Sequence, residues 1–238
     1  MAVAHSYSKA NTSLAAGAFY VIGPGGDDDP GYALEDVVIH NTGTVGLRLG
    51  HSLTDILTNV RYQQIAAAAA VGCTTAIAGP IDNLLVYNYD ASTAASFTLI
   101  ARCVKRNSGK DGGVLCGSGT PGSATRYQVI RVSKVAGADT TTTVPVKYKR
   151  TLTTIKGYSV TVASGGTITI DLKNAGSVSL LAAVMNAESH TTKTIYTATT
   201  LSTTVPLTVD RDCSLIFSSS AGGDTVGDAL IEIAHTVA

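Results

Sequence analysis

An all-β chain folded as two tandem small β-sandwich domains is the fold class this sequence predicts, and three observations carry the prediction. Val, Ile, Thr and Tyr alternate with polar residues at period two through most segments, the pattern of strands buried on one face. Clusters of Gly, Pro and Asn punctuate those segments, as in Gly23-Pro24-Gly25-Gly26, Asn41-Thr42-Gly43, Gly79-Pro80, Ser164-Gly165-Gly166 and Asn174-Ala175-Gly176. Finally, the chain repeats itself in order. Asn41–Leu47 is echoed by Asn174–Leu180, Leu14–Ile22 by Leu152–Val162, Leu84-Leu85-Val86 by Leu215-Ile216-Phe217, and Ala101–Val104 by Ala234–Val237. The series predicts a pseudo-repeat, with Val45 equivalent to Val178 and Leu47 to Leu180 as inward positions. Alternation alone leaves jelly-roll and immunoglobulin-like strand orders both open.

Taken along the chain, the first half predicts strands near Ala18–Ile22, Glu35–His40, Gly43–Leu49, Thr75–Ala78, Asn83–Tyr89 and Ser96–Val104. Each joins β-branched or aromatic residues at alternate positions to a turn signal. His51–Ala70 differs: Leu53, Ile56, Leu57 and Val60 fall on one helical face and Ile65–Ala70 has high helix propensity, so this stretch reads as a short helix or an extended loop. Asn107–Ser123 is dense in glycine and predicts the linker or a long exposed loop. The expected division is a first sandwich over 1–108, a linker over 109–125 and a second sandwich over 126–238. Arg126–Arg150 reads either as an extra hairpin or as the opening strands of the second domain. Further strands are expected near Tyr158–Ala163, Thr167–Leu172, Val178–Ala183, Thr192–Thr197, Thr204–Val209, Cys213–Ser218 and Ala229–Ala234. The two Asn-x-Gly turns predict an Asn that opens the turn and a Gly at positive φ.

Charge narrows the class of function. Of 238 residues only 14% are charged, against about 25% in ordinary globular chains, and the formal net charge is zero. A surface so poor in repulsion suits a subunit that associates better than one that diffuses alone. Phosphate binding draws on clustered Lys and Arg, so the neutral balance argues against a nucleic-acid partner. The densest basic stretches, Arg102 with Lys105, Arg106 and Lys110, then Lys147, Lys149 and Arg150, flank the expected junction and read as a solvated linker or a docking patch. No 18-residue apolar window is present and the N-terminus lacks a basic-then-apolar leader, so neither a membrane span nor a secretory signal is expected.

No motif announces chemistry. Gly117-Ser118-Gly119-Thr120-Pro121-Gly122 matches a dinucleotide-binding string, but Pro121 interrupts it and a strand-like segment follows where a helix is needed. Asp27, Asp28 and Asp29 crowd three carboxylates into one loop, a weak candidate for a hard cation, without the spacing of a calcium loop. Cys73, Cys103, Cys116 and Cys213 fit no zinc spacing and read as buried thiols, with a Cys103–Cys116 bridge as the alternative. The five histidines are dispersed. No cofactor and no catalytic residue is expected, and the protein reads as a non-enzyme. Interaction loops are expected at Gly25 and Asp28 and at Lys105, Arg106 and Lys110. Tyr87 and Tyr89 should share one strand face, covering the core edge or a subunit contact, or stacking on a glycan.

In style, through stretches such as Thr161–Leu172 and Asn174–Ala183, the Thr/Ser/Gly/Ala-rich tandem sandwich resembles tailed-bacteriophage virion proteins, among them capsid decoration (cement) proteins and fibre components. That resemblance implies a homo-oligomer, often trimeric, made in the host cytoplasm and seated in a virion against the major capsid or other virion proteins. The alternative is a fibre or adhesin-type module that binds a receptor or glycan.

Overall fold

The computed structural model describes residues 5–70, 72–77, 81, 83–104, 125–134, 139–161, 168–187, 195–197, 200–219 and 227–237. Contacts divide the chain into two compact units, Met1–Ser118 and Gly119–Ala238. The linker expected over 109–125 lies, apart from its last residue, outside the described residues.

The first unit contains β1 (His5–Leu14), β2 (Phe19–Ile22), β3 (Ala33–Asn41), β4 (Leu47–Gly50), α1 (Leu53–Leu57), β5 (Gln63–Ile65), β6 (Thr74–Ile77), β7 (Leu84–Asn88) and β8 (Ala95–Val104). One sheet runs β1-β8-β3-β6 and the other β2-β7-β4-β5, all antiparallel. With strands taken in chain order, one sheet thus holds the first, eighth, third and sixth, the other the second, seventh, fourth and fifth. This pairing of strands across two sheets is the jelly-roll order. Leu34, Val37, Ile39, Leu47, Leu49, Val86, Phe97 and Leu99 point between the sheets and are buried. Burial of each such side chain stabilises the fold by about 1.5–3 kcal/mol.

The second unit contains β9 (Arg126–Lys134), β10 (Thr140–Val144), β11 (Arg150–Thr161), β12 (Ile168–Lys173), β13 (Met185–Asn186), β14 (Ile195–Thr197), β15 (Thr208–Val209), β16 (Cys213–Ser219) and β17 (Gly227–Val237). Its sheets run β9-β17-β11-β14 and β10-β16-β12-β13, with β15 added on β11. Set β15 aside and the order is again first, eighth, third, sixth over second, seventh, fourth, fifth. The chain is therefore two jelly rolls in tandem. Arg126–Arg150 supplies the opening strands of the second, one to each sheet, and is not a hairpin. β17 is buried on both faces: Ala229, Ile231 and Ile233 enter the core, while Leu230, Glu232 and Ala234 are buried on its opposite face. Burial on both faces explains its nearly continuous apolar run.

The architecture repeats, but not in the expected register. Leu84–Val86 and Leu215–Phe217 do occupy the seventh strands, and Ala101–Val104 and Ala234–Val237 the eighth. Leu47 opens β4, a fourth strand, whereas Leu180 lies past the end of β12, the other fourth strand. Both leucines are fully buried, yet Val45 packs against the core and Val178 is 48% exposed. Asn-x-Gly is a generic turn signal, so it recurs at non-equivalent corners of the same fold.

Both Asn side chains do cap their turns: Asn41 Oδ1 accepts from Gly43 N at 2.9 Å and Asn174 Oδ1 from Gly176 N at 2.9 Å. Neither Gly sits at positive φ; the left-handed residue of the second turn is Ser177, at φ 63°. Gly43 is needed for space, since a Cβ there would lie 2.7 Å from Ser96 N. Asn174–Val178 closes a hairpin-like return of the chain onto Leu172, whereas Asn41–Gly46 crosses from one sheet to the other.

Other expectations shift for physical reasons. The polar strand β1 has no strong sequence signal because it is an edge strand whose one buried side chain is Leu14. Val178–Ala183 forms only isolated bridges, and regular structure in Thr204–Val209 is confined to β15. α1 is a single turn, capped by Ser52 Oγ on Asp55 N at 3.2 Å, burying Leu53 and Ile56 and leaving Val60 65% exposed. The alanines after it are not helical. Asn41 Nδ2 donates to Ala66 O at 2.8 Å and Ala68 N to Gly43 O at 2.9 Å, so loop contacts override helix propensity.

Candidate functional site

Two polar constellations, one in each unit, are built by residues distant in sequence. In the first, the loop after β2 folds back on that strand, with Gly23 N donating to Asp28 O at 2.7 Å and Asp28 N to Val21 O at 3.2 Å. Gly25 sits in this fold-back at φ 77°. The loop thereby carries Asp28 to β1. Asp28 Oδ2 accepts from Tyr7 Oη at 2.6 Å and pairs with Lys9 Nζ at 2.7 Å. Because β1 and β2 are edge strands of opposite sheets, Asp28 clasps the open side of the sandwich. Burial opposes its ionisation, but donation from Lys9 and Tyr7 outweighs it and holds the carboxyl below the usual carboxylate range. Burial first, and then the bond to Asp28, pushes the Tyr7 phenol up.

The three carboxylates of this loop do not converge. Asp27 Oδ2 accepts from Val21 N at 2.7 Å and Asp29 Oδ1 from Gly31 N at 2.9 Å, so each is engaged by different local donors. Among the described residues, no three His, Cys, Asp or Glu side chains are grouped to hold a metal ion. A geometry of this kind ties backbone together; it does not present an open coordination site. Lys105, Arg106 and Lys110 lie outside the described residues.

The second constellation was not legible as a site in the sequence. Where β9, β11 and β17 meet, Arg150 and His235 are 4% and 2% exposed. Arg150 Nη1 donates to Gln128 Oε1 at 2.6 Å, and Gln128 Nε2 to Pro145 O at 3.3 Å. His235 Nε2 meets Tyr148 Oη at 3.0 Å, and the Arg126 guanidinium lies 5.6 Å from the Tyr148 ring centroid. Arg150 Nε and Nη2 have no hydrogen-bond partner among the described residues. Burial first, and then the charge of Arg150, depress His235 to a pKa of about 3, so it stays neutral at ordinary pH. A single Arg at a strand start and a single His near a strand end give no periodic or spacing signal; only pairing of the three strands brings them together.

The remaining predicted groups are absorbed by packing. Tyr87 stacks on Phe19 with centroids 4.2 Å apart, and Tyr89 and Tyr62 flank Arg48 at 4.6 and 4.8 Å. Tyr87 and Tyr89 thus meet neighbours within their own unit. Cys103 and Cys213 are buried as expected, Cys73 is only partly so, and Cys116 lies outside the described residues.

No family model matches the chain, and no curated protein matches it. Among solved structures it is similar to the STIV MCP at 10% identity, covering 99% of this chain and 97% of that one, with a TM-score of 0.29. The major capsid protein of bacteriophage PM2 follows at 9% identity, covering 99% and 98%, with a TM-score of 0.27. Latent PorU from Porphyromonas gingivalis scores 0.32 at 12% identity, covering 99% of this chain and 24% of that one. Viral capsid proteins are thus among the structural neighbours, at scores too low to carry function.

Proposed function

We propose that this protein is a structural component of a virion, a capsid decoration protein that works through protein–protein contacts. The observation that supports the reading is the tandem jelly roll itself: the order first, eighth, third, sixth over second, seventh, fourth, fifth occurs twice in one chain. The jelly roll is a fold used by viral capsids and by lectins, and a fold alone does not assign function. The 14% charged content and zero net charge favour assembly. Against a lectin-type reading, Tyr62, Tyr87 and Tyr89 take partners within their own unit. The loop carrying Gly25 and Asp28, with Lys105, Arg106 and Lys110, is the proposed contact region, and other copies of the chain and a major capsid protein are the proposed partners.

Sedimentation velocity and negative-stain imaging of the purified protein, alone and mixed with preformed viral shells, test this. The expected result is a homo-oligomer, a trimer first, that decorates shells and persists as salt rises from low to about 1 M, because screening acts on charges and not on apolar burial. Closed particles formed by the protein alone would reassign it as the shell builder. A lone monomer that binds no shell but binds a sugar on a glycan array would replace the reading with the adhesin one.

A further inference from the structure

Resting on the homo-oligomer reading, we propose that copies of this chain associate head to tail through the two edges of one sheet, the acidic loop of one copy docking on Arg48 and Arg61 of the next. In the sheet β2-β7-β4-β5 of the first unit, β2 and β5 are the edges. The loop that leaves β2 carries Asp27, Asp28 and Asp29. Asp28 is committed to Lys9 and Tyr7. Asp27 and Asp29 hold the loop in shape by accepting from Val21 N and Gly31 N, and both residues are exposed. This edge therefore offers negative charge on a fixed backbone.

The opposite edge is basic and aromatic. Leu47 and Leu49 of β4 enter the core, so Arg48 between them stands on the outer face of the sheet. Tyr62 and Tyr89 flank its guanidinium at 4.8 and 4.6 Å, and Gln64 Nε2 donates to Tyr89 Oη at 3.0 Å, which orients that ring. The one hydrogen bond of Arg48 among the described residues, from Nη1 to Ile56 O, is long at 3.4 Å, and Nε has no partner. Among the described residues no carboxylate pairs with Arg48, nor with the exposed Arg61 next to Tyr62 in the chain. Val60, 65% exposed, precedes Arg61. A guanidinium held flat between rings loses little freedom on pairing and matches a carboxylate through its fork of N–H groups. Tyr and Arg beside an exposed apolar residue are the composition of contact hot spots.

Opposite charges on opposite edges suit a heterologous contact, in which each copy uses two different patches and successive copies form a ring when the rotation between them closes. A two-fold contact through either edge would set like charge on like, which costs affinity. The charges thus select which edge meets which, while the apolar and hydroxyl surface around them holds the contact as salt rises.

Sedimentation velocity of the full chain over a concentration series tests this with two edge variants, Arg48→Glu with Arg61→Glu, and Asp27→Lys with Asp29→Lys. Each pair should weaken association about a hundredfold, and one chain carrying all four substitutions should recover to within about tenfold of wild type, because its reversed edges again complement each other. Arg61→Glu alone, at an exposed position, should weaken association about tenfold at unchanged melting temperature, which separates loss of contact from loss of fold. Association unaffected by either pair or by Arg61→Glu overturns this contact and leaves the homo-oligomer reading standing. So does a four-substitution chain with the wild-type melting curve that associates no better than either pair. A wild-type chain that stays monomeric at every concentration overturns both.

Discussion

The two jelly rolls share a strand order and differ in how their interiors accommodate polar groups. The first buries Asn41 and Asn88 completely, and both are used at each end: Asn88 Nδ2 donates to Leu14 O, Ala15 O and Thr93 O at 3.0, 3.1 and 2.8 Å, and its Oδ1 accepts from Asp90 N at 3.1 Å. These neutral amides bind loops to the sheets. The second instead buries Arg150 and His235, with two guanidinium nitrogens left without partners among the described residues. One topology thus tolerates buried neutral amides in one unit and a buried Arg and His in the other, and the difference lies in pH response and local stability, not in fold.

The largest expected effect is the acid sensitivity that His235 gives the second unit. His235 has a folded-state pKa depressed to about 3 against an ordinary 6.5. Its contribution is therefore fully present above pH 6.5 and lost as pH falls toward 3, because the unfolded chain binds a proton that the folded one excludes. The groups around it reinforce this: Arg150 on β11 and Arg126 on β9 are cations, and Tyr148 is its neutral hydrogen-bond partner. Asp212 and Cys213 act on Arg150. At about 1.4 kcal/mol for each pH unit separating the folded and unfolded pKa, the effect is on the order of a few kcal/mol. Urea unfolding at pH 7.5 and pH 4.5 should show the loss, and His235→Gln should flatten it; equal pH dependence in both proteins would remove His235 as the cause.

Next in size is Asn88→Ala, expected to cost about 2–3 kcal/mol in the first unit, since the fully buried amide that donates to the Leu14, Ala15 and Thr93 carbonyls is lost. Asn174→Ala, at an exposed turn, should cost under about 1 kcal/mol. Chemical denaturation of both variants checks the contrast, and equal costs would mean that burial is not what separates them.

A smaller difference is expected between glycines. Gly43→Val should destabilise by about 1–3 kcal/mol because its Cβ would strike Ser96 N. Gly176→Val, with only Asn174 Oδ1 near at 3.3 Å, should stay within about 0.5 kcal/mol. Between these two, Asp28→Asn should cost about 1 kcal/mol by weakening the clasp to Lys9 and Tyr7. Melting temperatures rank all three, and a larger loss for Gly176→Val than for Gly43→Val would reverse the account of the two turns.

The sequence by itself determined the all-β class, two sandwiches in tandem, most strand positions, and the Asn-capped turns. Period-two burial and turn chemistry are local, and local patterns survive in one dimension. It also matched the seventh and eighth strands across the halves, where both strands are strongly apolar, as in Leu84–Val86 and Leu215–Phe217. Only the tertiary structure decided between jelly-roll and immunoglobulin-like order, because alternation says which face is buried and not which strand lies beside it. The polar edge strand β1 exists through its pairing with β8, not through apolar residues of its own. Likewise Asp28 meets Lys9 and His235 meets Tyr148 only because pairing or folding back brings distant positions within reach of one another. Residue spacing holds no record of such contacts, which arise when strands close into sheets.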